Sequence, residues 1–253
     1  MTTRFADHVA LVTGGGSGIG RHTARALARE GATVVVAGRS KDTLCETVHA
    51  IEAEGGSASA VVADVTNEAD VESLIATTVA RHGGLHVAVN CAGTLGVPAP
   101  VAMLDRETWH TVLEANLTGV WLSMKHEIGH MRVNGGGAIV NVASNVGAHR
   151  RAPTLGAYAA AKAGVSALTR TAAREYIADG VRINAVSPGP IDTPMSLRPG
   201  ETPVERAARL RSTLPIGRVG ALDEVVATIL WLASREAGFV VGHDLVVDGG
   251  ATA

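Results

Sequence analysis

Short runs of β-branched and apolar residues alternate along this chain with longer stretches whose apolar positions recur at helical spacing. His8 to Thr13 is the first such run. Ala32 to Ala37 is nearly continuous in apolar side chains, as a strand buried on both faces requires. Similar patterns predict strands over 58–63, 85–90, 138–143, 181–187 and 244–247. Between them, Ile19, Ala24, Leu27 and Ala28 fall near helical spacing within 19–30, and helices are predicted over 40–54, 67–82, 105–131, 156–178 and 222–234. Strands and helices in strict alternation predict an α/β fold: a doubly wound parallel sheet of about seven strands, with right-handed crossovers placing helices on both faces. Glycine clusters such as Gly135-Gly136-Gly137 fall between elements, where turns belong. No composition shift, low-complexity tract or repeat divides the pattern, so residues 1–253 are read as a single domain.

One stretch breaks the alternation. Residues 188–221 hold Pro188, Pro190, Pro194, Pro199 and Pro203, followed by a charged helical pattern from Glu201 to Arg211. That is too long for a simple connection, and the expectation is a lid over a site, with a plain surface excursion as the alternative.

Composition narrows the classes. A chain of 253 residues with 46% hydrophobic positions can bury a sizeable core. A net charge of -2 argues against a general attraction to nucleic acid or anionic membrane. No apolar run approaches the roughly 18 residues that a bilayer span requires. Met1 to His8 holds no apolar signal-peptide core. Cys45 and Cys91 offer neither a disulfide framework nor a metal-ligand pair, so no metal is expected. Asn116-Leu117-Thr118 matches a glycosylation pattern that has no consequence without secretion. The expectation is a soluble cytoplasmic protein.

The candidate chemistry begins at Thr13-Gly14-Gly15-Gly16-Ser17-Gly18-Ile19-Gly20, between the first strand and the first helix. Glycines there let main-chain N–H groups approach a pyrophosphate, and the helix N-terminus adds partial positive charge. The second strand ends at Gly38-Arg39-Ser40. A carboxylate at that place would hold the ribose 2′-hydroxyl of NAD and repel a 2′-phosphate. Arg39 instead favours NADP, with NAD as the alternative and a solvated surface arginine as the plain reading.

Tyr158-Ala159-Ala160-Ala161-Lys162 lies in a helical pattern, where i,i+4 spacing puts phenol and ammonium on one face. A tyrosine pKa of about 10 must fall by about three units, roughly 4 kcal/mol, to act near neutrality. A nearby cation supplies part of that. Such a phenol could protonate a carbonyl oxygen or deprotonate an alcohol. Alone, the pair also fits an interfacial tyrosine beside a surface lysine. Ser144, just past the carboxyl end of strand 138–143, could hydrogen-bond a substrate oxygen or simply start a helix. Asn116 is a poor helix former inside a long helix, where its amide could break the local ladder and hold a water, or sit exposed.

Taken in order and interval, these motifs resemble the compact, single-domain branch of the short-chain dehydrogenase/reductase family, and the resemblance spans essentially the whole chain. It is carried by the glycine-rich Thr13–Gly20, Asp64-Val65, Asn90-Cys91-Ala92-Gly93, Asn116, Ser144, Tyr158-x-x-x-Lys162 and Pro188-Gly189. The resemblance implies a Rossmann-like fold and hydride transfer between NADP(H) and a ketone or secondary alcohol. It implies that Tyr158 is the acid/base and that Ser144 polarises the substrate oxygen. Lys162 would bind the nicotinamide ribose and lower the tyrosine pKa, and Asn116 would hold the water of a proton relay. Gly14, Gly16, Ser17, Gly18, Ile19 and Gly20 would cradle the pyrophosphate, with Arg39, Asp64 and Val65 on the adenosine side. Asn90, Ala92 and Gly93 would line the cofactor and stabilise the sheet, and Pro188, Gly189, Ile191 and Thr193 would lie against the nicotinamide. Cys91 replaces the more usual second asparagine of its motif, a change expected to matter little because backbone contacts carry that role. The interval from Ser144 to Tyr158 is about one residue longer than common members have, which a loop absorbs.

For the substrate, Thr94 to Pro100, Asn145 to Leu155 and the 192–214 excursion are the candidate pocket walls. His149, Arg150 and Arg151 could read an anionic substrate group or face solvent. Aliphatic or alicyclic ketones, sugars, acyl thioesters and polyketide-like compounds remain open. A non-catalytic dinucleotide sensor is the rival from another class, though sensors usually have a damaged tyrosine/lysine pair. A sugar-nucleotide epimerase or dehydratase would need a larger C-terminal domain. The resemblance also implies a homotetramer built on 105–131, 156–178 and 222–248.

Overall fold

The computed structural model describes residues 3–198 and 200–253, so Met1, Thr2 and Pro199 lie outside the described residues. The strands are β1 Val9–Thr13, β2 Thr33–Gly38, β3 Ser57–Val62, β4 Val87–Asn90, β5 Gly137–Val142, β6 Val181–Pro188 and β7 Asp244–Val247. They form one sheet in the order β3-β2-β1-β4-β5-β6-β7, and every pairing is parallel. The helices are α1 Gly18–Arg29, α2 Lys41–Ala53, α3 Glu68–His82, α4 Arg106–Leu113, α5 Gly119–Met131, α6 Gly156–Tyr176, α7 Pro203–Arg211 and α8 Leu222–Ala233.

The alternation of side chains along each strand builds two cores. Val34 and Val36 of β2 pack with Leu27 of α1, Leu44 of α2 and Ile229 of α8 on one face. Val35 and Ala37 join Leu74 of α3, Met124 of α5 and Val165 of α6 on the other. Such double coverage is why the central strands read as unbroken apolar runs.

Apart from shifts of a residue or two at element ends, three departures from the periodicity have a local reason. The long helix expected over 105–131 is interrupted at Glu114–Thr118 by a wider π turn. There the Asn116 amide donates to the carbonyls of Val112 and Thr94, both at 2.8 Å, so a side chain takes an acceptor that the helix ladder would use. β4 begins at Val87 because the ring of His86 accepts the Val9 N–H at 2.9 Å. α7 begins at Pro203, where Thr202 and Glu205 form a reciprocal capping box.

Beneath the sheet, on the α5 and α6 side, lies a buried polar network. Asn90 and Asn141 are register partners on β4 and β5. The Asn90 amide donates to Glu127 Oε2 and Asn141 Oδ1, both at 3.0 Å, and the Asn141 amide donates to Thr169 Oγ1 at 2.9 Å. Glu127 is fully buried, and its Oε1 and the Oδ1 of Asn90 have no partner among the described residues. Burial pushes the Glu127 carboxyl up to about 7, against the opposing hydrogen bond from Asn90. A protonated Glu127 would add a hydrogen-bond donor to a cluster that holds two orphan acceptors.

Because the folded chain keeps this proton while the unfolded chain releases it in the ordinary carboxylate range, folding stability falls as pH rises through that window to about 7. Thermal unfolding from about pH 5 to about pH 8 should show the native chain losing on the order of 2 kcal/mol relative to Glu127→Gln. Parallel curves for the two proteins would show that Glu127 stays ionised in the fold.

Candidate active site

The chain winds outward from β1 to β3 and returns on the other side of β1 as β4, which opens a crevice beyond the carboxyl ends of β1 and β4. Thr13 Oγ1 bridges the crevice floor by accepting the N–H groups of Cys91 and Ala92 at 3.2 and 3.4 Å. Gly14 has φ +66°, and a Cβ built on it would stand 2.8 Å from the Ala92 nitrogen. A Cβ on Gly20 would stand 2.3 Å from the Gly14 carbonyl oxygen. Gly16 lies against Thr43, and Ile19 packs into the α1/α2/α8 core. Ser17 precedes α1 without capping it through its side chain, which leaves first-turn N–H groups available to an anion.

Across the crevice, Ser144 sits two residues beyond β5 and is buried. Its Oγ accepts the Val146 N–H at 3.1 Å, so the hydroxyl hydrogen is left to donate elsewhere. Tyr158 and Lys162 occupy the first two turns of α6. The Lys162 Nζ stands over the Tyr158 ring, 5.8 Å from its centroid, and donates to the Val142 carbonyl at 2.7 Å. Burial drives the ammonium down to about 8. Burial also pushes the Tyr158 phenol above its ordinary value, while hydrogen bonding with Ser144 works against that rise. The phenol is therefore not lowered in this arrangement: desolvation dominates it, and the lysine that was expected to lower it is engaged by a carbonyl.

Asn116 is fully buried, which excludes the exposed alternative. Its Oδ1 accepts the Thr94 N–H at 3.2 Å. A Cβ on Gly93 would stand 2.5 Å from that Oδ1 and 3.8 Å from the Lys162 Nζ, so Gly93, Asn116 and Lys162 meet at one point. Asn90 spends its side chain on the sheet network, and Ala92 contributes its N–H to Thr13.

At the outer end, Asp64 accepts the N–H and hydroxyl of Thr66 at 3.0 and 2.9 Å. Those bonds hold its carboxyl below the usual range, with burial opposing and the charge of Arg39 adding a little. Arg39 is exposed, and Val65 is buried against Val71 and Leu122. At the other end, Pro188 accepts the Asn145 N–H at 3.0 Å and Gly189 donates to Val247 at 2.9 Å. Ile191 is buried, and the Thr193 methyl lies 3.5 Å from where a Gly18 Cβ would stand, so the passage out of β6 overhangs the glycine turn. The excursion beyond it is tied to itself. Arg206 donates to the Asp192 carboxylate at 2.7 Å and to Ser196 Oγ at 3.0 Å, and Arg209 pairs with Glu201 at 2.6 Å.

The cationic run of 149–151 does not act as one group. His149 turns inward to bond Asp244 at 2.8 Å while staying partly exposed, and Arg151 donates to the Gly147 carbonyl. Among the described residues no group of three His, Cys, Asp or Glu side chains could hold a metal, and no helix is long and apolar enough to cross a membrane.

The family model described as enoyl-(acyl carrier protein) reductase matches residues 14–252. The chain is 45% identical to cis-4-hydroxycyclohexanecarboxylate dehydrogenase of Sinomonas cyclohexanicum, over 100% of both chains. It is 40% identical to cyclohexanol dehydrogenase of Acinetobacter sp. strain SE19, over 100% of this chain and 98% of that one. The crystal structure of levodione reductase superposes with a TM-score of 0.93 at 37% identity, covering 98% of each chain. The chain belongs to the short-chain dehydrogenase/reductase family.

A short-chain dehydrogenase/reductase is an oxidoreductase that works with a nicotinamide dinucleotide, and this crevice fits one. Side-chain-free backbone lines its floor at Gly14, the α1 N-terminus is open to phosphate, and a buried ammonium waits beside Gly93. Within this short-chain dehydrogenase/reductase, reasoning from sequence named Thr13 in the turn and Thr94 in a pocket wall without the hydrogen bonds they make, and overlooked Asp244. Asp244 carried a visible signal: a carboxylate opening the otherwise apolar strand Asp-Leu-Val-Val.

Gly14→Ala would impose strain of about 1–3 kcal/mol at a positive φ and press on Ala92. Calorimetric titration should find nicotinamide dinucleotide binding at least about 10-fold weaker. Unchanged affinity would mean that this turn does not approach the dinucleotide.

Proposed function

We propose that this short-chain dehydrogenase/reductase interconverts a secondary alcohol on a six-membered carbon ring and the corresponding ketone, with NADP(H) as preferred partner and Tyr158 as acid/base. The observation that carries the acid/base reading is the meeting of the Tyr158 ring, the buried Lys162 ammonium and a Ser144 hydroxyl whose acceptor side is already engaged. The substrate class is supported by two relatives named for a hydroxyl on a cyclohexane ring. Arg39, in place of a carboxylate at the end of β2, supports the 2′-phosphate.

In this reading Gly14, Gly16, Gly18 and the α1 N-terminus hold the pyrophosphate, and Lys162 holds the nicotinamide ribose. When bound, the nicotinamide supplies or accepts the hydride at the carbon bearing the reacting oxygen. Ser144 donates its free hydrogen to that oxygen and fixes its position. Tyr158 gives the oxygen a proton in reduction and removes one in oxidation. Asn116 and the Thr94 backbone hold Gly93 and Lys162 in register, so that a water there can return the proton to solvent. The lid root at Ile191 and Thr193 closes the site from above. The exposed Trp109 and Trp121 near α4 and α5, and Phe239 before β7, support assembly as a homotetramer, and a reducing cytoplasmic setting suits the two free thiols.

A nicotinamide absorbance assay with both cofactors, over cyclohexanol, its ring-carboxylated analogue and open-chain secondary alcohols, tests the whole reading. Ring alcohols should turn over fastest, and no turnover on any alcohol or ketone would favour a non-catalytic dinucleotide sensor. Tyr158→Phe should lower kcat by roughly 10²–10⁴-fold while cofactor affinity stays within a few-fold. Retained turnover removes Tyr158 from the acid/base role. Because the phenol stands above its ordinary value, the base form is scarce at neutrality, so alcohol oxidation should accelerate with rising pH while ketone reduction does not. An oxidation rate flat into the alkaline range would contradict that assignment.

A further inference from the structure

The Asp244 carboxylate has no role in the chemistry above, yet it is completely buried at the start of the edge strand β7. Three donors satisfy it. His149 Nε2 reaches Oδ2 at 2.8 Å, Ser166 Oγ reaches the same oxygen at 2.5 Å, and Ser187 Oγ reaches Oδ1 at 2.6 Å. The origin of each donor is what gives the cluster meaning. His149 belongs to the loop that begins at Ser144, Ser166 is one turn beyond Lys162 on α6, and Ser187 immediately precedes Pro188 on β6. One carboxylate thus joins the three elements that carry the proposed oxygen-binding, acid/base and nicotinamide-facing residues.

The loop depends on this anchor. Its internal bonds, Gly147 N–H to Arg150 and Arg150 N–H to Asn145, close a tight turn but do not fix where that turn sits. A second tie runs from the Asn145 amide to Asp248 at 3.1 Å, beyond the other end of β7. The Asn145 N–H also donates to Pro188 on β6, so with His149 on Asp244 the loop is held at both ends, and between Asn145 and His149 lies the Val146 N–H that orients the Ser144 hydroxyl. Removing either partner would break the charge-assisted bond that ties this end of the loop to the buried carboxylate, which favours movement of the loop.

We infer that His149 and Asp244 are positioning residues of the proposed active site: Asp244 holds the 145–151 loop through His149, and the loop in turn aims the Ser144 hydroxyl. The inference rests on the proposed roles of Ser144 and Tyr158. The side chain of His149 reaches the surface, at 22% exposed, so it can be altered with less risk to the fold than Asp244. Its amide mimic keeps an N–H donor.

The test combines steady-state kinetics with hydrogen exchange on the full chain. His149→Ala should lower kcat between about 10- and 100-fold with dinucleotide affinity within a few-fold, as expected when a reacting group is misplaced by a remote change. His149→Gln should recover most of that rate. Ser144→Ala should be slow by itself, and adding His149→Ala to it should cost nothing further, because the histidine acts only through the serine. Amide exchange across 145–151 should quicken in His149→Ala whether or not substrate is turned over. Additive losses in the double variant, or a His149→Ala enzyme with native kcat, overturn the inference while leaving the proposed reaction standing. Full activity in Ser144→Ala or Tyr158→Phe would overturn the proposed reaction itself, and the inference with it.

Discussion

Two stretches of backbone meet at the reversal of the sheet with no space for a side chain between them. The turn after β1 and the segment after β4 lie so close that Gly14 admits no Cβ against Ala92, and Thr13 laces them together through two N–H groups. The proposed catalytic groups are arranged around that approach. It brings Gly93 next to Lys162 and Asn116, sets the mouth of α1 over the same crevice, and leaves a lane of bare main chain for a flat, highly charged ligand. A doubly wound parallel sheet produces such a reversal whatever its sequence, but only glycines at these positions let the two sides come this close.

The second organising fact is the amount of polarity placed in a dry interior. Lys162, Asn116, Asn90, Asn141, Glu127, Thr169 and Asp244 are all buried. Polar groups taken from water cost free energy unless they are matched. Most of these are matched by one another or by backbone carbonyls, in clusters reaching from α5 and α6 to the edge strand. The apolar cores supply the stability, and the polar clusters fix the distances that a reaction would need.

Much of this was legible beforehand. Seven strands and their helices follow from runs such as Ala32 to Ala37, because burial on both faces leaves little choice of residue, and the glycine-rich turn announces itself by position. Strand and helix limits were less legible where a side chain substitutes for backbone. His86 replaces part of the β1–β4 ladder, and Asn116 forces the wide turn at 114–118. Periodicity registers apolar spacing and is blind to both. The inward turn of His149 was equally hidden, since its partner lies 95 positions away and a short Arg-flanked loop resembles a solvated one. The state of Tyr158 depends on desolvation, which a four-residue spacing to lysine does not reveal.

The excursion between β6 and α8 pairs several of its charges within itself, Arg206 with Asp192, Arg209 with Glu201 and Glu205 with the Thr202 hydroxyl, while Arg218 reaches out to Glu224 on α8. Its two ends are pinned to each other by main-chain bonds joining Asp192 and Pro190 to Gly220, and the Ile216 N–H ties it to Gly249 just beyond β7. A segment closed at its root and largely paired with itself can vary most at its outer turn, between Pro194 and Arg211. Its residues can be exchanged over generations, or by an engineer, while the polar clusters under the sheet keep their spacing. That division of labour offers a material reason why one scaffold can serve many different alcohols.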